Sequence, residues 1–358
     1  MPRRPVVDLN SPTPTAAPTR SARATGRVTL ADVALHCGVS TITASRVLNG
    51  TRPVAPEMAE RVRASAQRLG YVADPAAQAL ASRTSSHVAV LVPLLTNALF
   101  VELLEGVMQV LRPAGCQTLI GITHYDAAEE AQLLREQLLH RPAGILLTGL
   151  DRPEATRALI AQSAVPCVHL MELPPTQAKP QPYAVGLSQQ AAAVAMTEHL
   201  LGRGRRRIAF AAAQLDPRTL QRLAGWRQAM QAAGRQDARL EWLNPAPSSQ
   251  ALGAAMFEQI LAQRPAVDAI FFCNDDLAQG ALLAALRRGV AVPERLAVVG
   301  FNDLPGSDQT WPALTTVRTP RAAIGSTAAR MVLELMRHQA PAAPVVDLGF
   351  ELIVRASS

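Results

Sequence analysis

Thr41, Ile42, Ser45 and Arg46 fall on one face of a short helical pattern, with Ala44, Val47 and Leu48 on the other. The first set carries the chemistry that reads base edges. Arg46 can donate a parallel pair of hydrogen bonds to a guanine, while Thr41 and Ile42 offer a hydroxyl and an apolar contact for a thymine methyl. Thr29, Thr43, Ser45 and Asn49 carry short polar groups suited to phosphate, which positions a reader without specifying sequence. A second set begins with Arg218 and Arg222. Four residues apart, they share a helix face and can converge on one carboxylate. No GxSxG, HExxH, Walker loop or GxGxxG accompanies either set. Gly202-Arg-Gly204 precedes a strand, not a helix, so it is not a phosphate loop. Asn274-Asp275-Asp276 has no partner ligands and reads as pocket wall plus helix cap.

The elements that position the first set are short and well punctuated. Residues 1–26 are rich in Pro, Ser, Thr, Ala and Arg with no apolar period, the pattern of a disordered tail. Order begins at Thr29-Leu-Ala-Asp32, an N-cap followed by an acid in the first turn. That helix runs to about His36, and Gly38 permits a tight turn. Ser40 caps a second helix ending near Asn49-Gly50. Pro56 opens a third helix carrying Val62, Ala66 and Leu69, and Gly70 ends it. Leu30, Val33, Ala34, Val39, Ala44, Val47 and Leu48 can form a miniature core. The predicted unit is an all-α helix-turn-helix over 27–73, followed by a hinge over 74–85. A surface hairpin of an enzyme is the rival reading, and the alignment of the whole motif argues against it.

From His87 the texture changes. Apolar strand candidates at 88–93, 116–122, 144–148, 166–170, 184–187, 207–212, 269–273 and 296–300 alternate with helical stretches at 97–113, 127–140, 152–163, 189–203, 218–234, 249–263 and 276–289. Such βα repetition predicts α/β architecture with parallel sheets covered by helices. The run is too long for one ordinary sheet, so residues 86–358 are expected to form two similar lobes. A ligand would sit in the cleft between them, beyond the carboxyl ends of the strands.

Charge is unevenly spread. Residues 1–83 hold 11 Arg against 5 acids, so +6 of the chain's formal +7 lies there. That suits a segment which alone meets phosphate, although a basic tail would give the same excess. The longest apolar run is too short to span a bilayer, and no apolar stretch follows the N-terminal arginines as in a signal peptide. A cytoplasmic, nucleoid-associated protein is expected. Cys37, Cys116, Cys167 and Cys273 are far apart in apolar contexts without CxxC or Cys/His spacing, so they read as buried thiols, with neither metal nor cofactor.

The segment from Val28 to Asn49, with Gly70-Tyr71 and Ala76-Ala-Gln-Ala-Leu-Ala-Ser82, resembles the headpiece and hinge of the LacI/GalR family, and the likeness continues through the chain after the tail. The resemblance implies a two-lobed core of the periplasmic-binding-protein type. It also implies a homodimer on a pseudo-palindromic operator. Hinge residues Gln78 and Leu80 would meet DNA, Leu80 as a minor-groove wedge. Asp74-Pro75 departs from the Asn-Arg of many members, which puts a backbone contact in doubt.

Family pocket positions fall on Arg222, Asn274 and Asn302, the last where many members carry Asp. The stretches Pro93-Leu-Leu-Thr-Asn97 with Phe100, Leu215-Asp-Pro-Arg218-Thr219, Thr319-Pro-Arg321 with Ile324-Gly325, and Asp347-Leu-Gly-Phe350 resemble the gluconate-repressor branch. The implied effector is gluconate or a related sugar acid, held by Asn97, Phe100, Arg218, Arg222, Asn274, Asn302 and Arg321. Nothing in their spacing sets His169, Glu172 or Tyr183 apart. The implied activity is repression relieved by ligand. A co-repressor or neutral-sugar response is the alternative within the same fold. A sugar-metabolising enzyme would leave the headpiece unexplained, and a transport-type binding protein would need a signal peptide and no headpiece.

Overall fold

The computed structural model describes residues 28–49, 53–72, 86–178 and 180–358. The tail and the hinge, with Gln78 and Leu80, lie outside the described residues. The chain divides into two compact units, Met1–Arg83 and Thr84–Ser358.

In the first unit, α1 (Leu30–Cys37), α2 (Thr41–Asn49) and α3 (Pro56–Leu69) enclose a small core of Val33, Ala34, Cys37, Ala44, Val47, Val62 and Ala66. Each helix start has a local cause. Thr29 and Asp32 form a reciprocal capping box, the Ser40 hydroxyl accepts from the Thr43 amide at 3.1 Å, and Pro56 occupies the first turn of α3. Gly38 ends α1 at φ 66°, a left-handed conformation that side chains other than glycine adopt at a cost. It allows α2 to leave sharply.

The second unit contains two parallel sheets. The first has the order β11-β5-β4-β3-β1-β2, built from β1 (His87–Val92), β2 (Gln117–Ile122), β3 (Gly144–Thr148), β4 (Cys167–Leu170), β5 (Tyr183–Gly186) and β11 (Val345–Asp347). The second has the order β7-β6-β8-β9, from β6 (Ile208–Ala213), β7 (Glu241–Asn244), β8 (Ala269–Phe272) and β9 (Ala297–Val299). An antiparallel ribbon of β10 (Thr316–Arg318) and β12 (Glu351–Ile353) completes the set. The first lobe carries α4 (Ala98–Leu111), α5 (Ala127–Leu139) and α6 (Glu154–Ser163). The second carries α7 (Gln189–Gly202), α8 (Pro217–Ala232), α9 (Gln250–Gln263) and α10 (Asp275–Arg288). The interiors of β1, β6 and β8 are buried throughout, as strands covered on both faces must be.

Each of the eight predicted strands overlaps an observed one, but the reading omitted β7, β10, β11, β12 and a 16-residue helix, α11 (Arg321–Met336). The last omission matters most. α11 follows β10, returns to the first lobe and packs on α4, and β11 then joins the edge of the first sheet. The two helices approach so closely that a Cβ on Gly106 would strike the Ala322 carbonyl, and one on Gly325 the Leu103 carbonyl. Gly106→Ala or Gly325→Ala is expected to destabilise the core by about 1–3 kcal/mol, as overpacking against rigid backbone does. Thermal melts check this, and an unchanged Tm would mean that the helices part at no cost.

Candidate effector cleft and DNA-reading helix

The second unit holds a cleft of about 260 Å³ whose walls are the residues just beyond strand ends. Asn97 and Phe100 follow β1, Tyr125 follows β2, Asp216 and Arg218 follow β6, Ser248 follows β7, and Asn274 and Asp276 follow β8. This is where ligands lie in parallel α/β sheets. Helices α4, α8 and α10 begin there, so their positive N-terminal ends face the same space.

Arg222 is buried in the second lobe's wall. Its Nε donates to Gln189 Oε1 at 2.9 Å, and its Nη1 to the Cys273 carbonyl at 2.6 Å and Asn274 Oδ1 at 2.9 Å. The guanidinium stacks 3.8 Å from the Phe301 ring centroid. Burial lowers its pKa, and the opposing influence of Cys273 and Asp216 does not make up the difference. Arg218 differs. Burial alone would lower its pKa, but Asp216, Tyr125 and Glu172 more than offset that and raise it. Its Nε lies 3.4 Å from Asp216 Oδ1 and 3.8 Å from Glu172 Oε1, and its charge sits over Phe100 and Tyr125. Among the described residues its Nη1 is buried without an acceptor. Burial also raises the Glu172 and Asp276 carboxyls, and pushes the Tyr125 hydroxyl up to about 12.

Five of the seven residues expected at the effector site line the cleft: Asn97, Phe100, Arg218, Arg222 and Asn274. Asn97 also caps α4, its Oδ1 accepting from the Leu99 amide. Asn302 is buried one step behind, its Nδ2 donating to Asn274 Oδ1 at 3.1 Å and its own Oδ1 without a donor among the described residues. Arg321 departs from the expectation. It does not line the cleft, because Glu102 takes its Nε and Nη2 at 3.0 and 2.9 Å and backbone carbonyls take the rest. Tyr125, Ser248 and Gln279 also line the cleft but were not expected, and Asp276 lines it within the 274–276 stretch read as pocket wall. Taking the positions just past each strand end as candidates would have found Tyr125. Glu172, passed over from its spacing, touches Arg218.

Behind the cleft, Arg152 holds Glu130 at 2.7 Å and approaches His169 Nδ1 at 3.2 Å. Burial first, then the Arg152 charge, lowers His169 to about 4 from an ordinary 6.5. The folded state therefore binds fewer protons than the unfolded chain, and stability is full above pH 6.5 and lost as pH falls toward 4. Asp275, fully buried and raised to about 6, has the opposite sign: its contribution is present at low pH and fades as pH rises through 6. The two slopes oppose each other, and the difference between wild type and His169→Gln isolates the first. The variant is expected to lose up to about 3 kcal/mol of acid sensitivity, read from Tm against pH. Parallel curves would place His169 in a wetter setting.

In the first unit, Thr41, Ile42 and Arg46 are exposed, Ile42 by 62%, while Ala44 and Val47 of the same helix are buried. Thr43 and Ser45 are half-buried, and Asn49 closes α2. The exposed Ile42, on the same helix face as exposed Thr41 and Arg46, presents an apolar group suited to a base methyl. Thr29 and Thr43 engage their hydroxyls in helix caps, with Asp32 and Ser40 respectively. The cysteines are free; Cys37 and Cys273 are buried as expected, whereas Cys116 and Cys167 are only partly so. No helix among the described residues is long and apolar enough to cross a membrane.

A helix-turn-helix with an outward reading face, carried with a two-lobed α/β cleft, defines a ligand-responsive class of transcription regulator. Residues 29–74 match the bacterial regulatory proteins of the lacI family, and residues 197–358 match the periplasmic binding protein-like domain. The chain is 54% identical over 339 residues to the HTH-type transcriptional regulator GntR of Pseudomonas aeruginosa, covering 95% of this chain and 98% of that one. It is similar to the crystal structure of transcription regulator GntR from Chromobacterium violaceum, with TM-score 0.74, 50% identity, and coverage of 76% of this chain and 99% of that one. A LacI-family regulator from Silicibacter pomeroyi superimposes with TM-score 0.84 and 32% identity over 92% of this chain and 99% of that one. The chain belongs to the LacI family and is a DNA-binding transcription regulator.

Proposed function

We propose that this protein is a cytoplasmic repressor that binds a pseudo-palindromic operator as a homodimer and is released by gluconate or a related sugar acid. In this reading residues 27–73 read the half-site, 74–85 form the hinge with Gln78 and Leu80 on DNA, and 86–358 bind effector and partner. The observation that carries the effector class is Arg218 Nη1, a buried donor on the cleft wall that lacks an acceptor among the described residues. Leaving it so costs about 1–3 kcal/mol or more, which a ligand carboxylate would recover. The hydroxyl-binding groups around it, Asn97, Ser248, Asn274 and Asp276, suit a polyol chain attached to that carboxylate. The names of the GntR relatives agree with this class.

Ligand would favour one lobe arrangement and so change how the dimer meets its two half-sites. Fluorescence anisotropy on a labelled pseudo-palindrome, at fixed salt, tests the reading with gluconate and glucose side by side. Release by gluconate at concentrations where glucose does nothing is expected. Tightening would make the ligand a co-repressor, release by glucose alone would make it a neutral-sugar site, and indifference to both would discard the sugar-acid assignment.

A further inference from the structure

Direct contacts run from the cleft wall to α4. Arg222 Nη1 and Asn302 Nδ2 donate to the same oxygen, Asn274 Oδ1, at 2.9 and 3.1 Å. The Asn302 carbonyl in turn accepts from Arg321 Nη1, and the Asp303 carbonyl accepts from Arg321 Nη2 at 3.2 Å. The same guanidinium grips both carboxylate oxygens of Glu102 on α4 at 3.0 and 2.9 Å. All three side-chain nitrogens of Arg321 are thus engaged; the residue is 7% exposed and sits at the first position of α11, where the chain passes from the β10 ribbon back to the first lobe.

The segment it grips is not relaxed. Asn302 has φ 111° and Asp303 φ 52°, a region that residues other than glycine enter at a cost of roughly 1–3 kcal/mol. The Asp303 carboxylate is clamped by Arg318 and Arg355, each at 2.8 Å. A strained pair held by Arg318 at the end of β10, Arg355 just past β12 and Arg321 at the start of α11 is suited to switching between arrangements rather than drifting.

We propose that Arg321, paired with Glu102, is a positioning residue that couples the Arg222–Asn274 wall of the cleft to α4 and does not itself touch effector. That the wall is an effector site rests on the reading above; the mechanical link is independent of which ligand fills it. An inert staple would stabilise the fold without passing anything on, so the test must read transmission.

The full-length chain, free of ligand, is examined by hydrogen–deuterium exchange, with exchange in α4 expressed relative to α5 of the same lobe. Arg222→Ala is expected to speed α4 exchange roughly fivefold in the wild-type background, as coupled neighbours do. In an Arg321→Met background it should add nothing. The proposal is overturned if Arg222→Ala leaves α4 unchanged, or if its effect persists undiminished with Arg321→Met. Should Arg321→Met fail to fold, Glu102→Gln replaces it under the same criterion. Failure of gluconate to release operator would strike the effector reading alone.

Discussion

Arg222→Ala should abolish operator release by gluconate while leaving operator affinity within a few-fold of wild type. Arg222 is a buried cation on the cleft wall that makes no close ion pair with a carboxylate among the described residues, and it organises its surroundings through Gln189, Cys273 and Asn274. Truncation removes the charge, strips the Gln189 side chain and the Cys273 carbonyl of a donor, and opens a void above Phe301. Losing a buried charge-assisted contact to a ligand carboxylate costs about 2–5 kcal/mol, so gluconate affinity should fall roughly 30- to 4,000-fold. The DNA-reading unit has its own core and shares no residue of that wall, so its affinity for operator has no reason to follow. Anisotropy with a saturating gluconate series decides the matter, with Arg222→Lys as the intermediate case that keeps charge but not the fork. Normal release by Arg222→Ala would remove Arg222 from the site. Loss of operator binding in a folded variant would mean that the wall serves the DNA-bound state.

The second large effect is expected at Arg46. It is exposed near the end of α2, on the face that Thr41 and Ile42 begin. A bidentate arginine–guanine contact is worth about 1–3 kcal/mol, so Arg46→Ala should weaken specific binding roughly 10- to 100-fold and relax preference at one base position in each half-site. Arg63→Ala is the matched control. It removes the same charge from α3, where Arg63 meets Glu60 at 4.0 Å in solvent, and should shift affinity slightly and uniformly across sequences. Binding measured across a panel of half-site variants separates the two. A uniform loss for Arg46→Ala would reassign it to phosphate.

How far the sequence could be read follows from where its signals are local. The capping box at Thr29, the glycine stop at Gly38 and the proline start of α3 each act within a few residues, and they located the reading helix to within a residue or two. Eight of the ten strands in the two sheets were legible, β1, β6 and β8 most plainly because burial on both faces makes them continuously apolar, whereas β7 and β11 at the sheet edges were missed. α11 was not, since its start has no side-chain cap and its first half is small residues whose partner is α4, far along the chain. Missing it left Arg321 with only the resemblance to place it, and the resemblance put it among the ligands. The pairing with Glu102 is 219 residues long-range, beyond any spacing rule. Arg218 and Arg222 do share a helix face and a cleft, but the carboxylates that differentiate them, Asp216 and Glu172, come from a cap and from another lobe's loop.

The return of α11 and β11 to the first lobe has a consequence for synthesis. The DNA-reading unit can fold as soon as it clears the ribosome, because its core lies within residues 28–71. The first lobe cannot. Its sheet through β5 and the apolar face of α4 are made early, yet the helix that covers that face ends at Met336 and the closing edge strand at Asp347. From the completion of β5 until Asp347 is made, the nascent chain therefore carries a finished DNA reader and an open, sticky half-lobe, a state in which chaperone capture or premature pairing with another nascent chain competes with native closure.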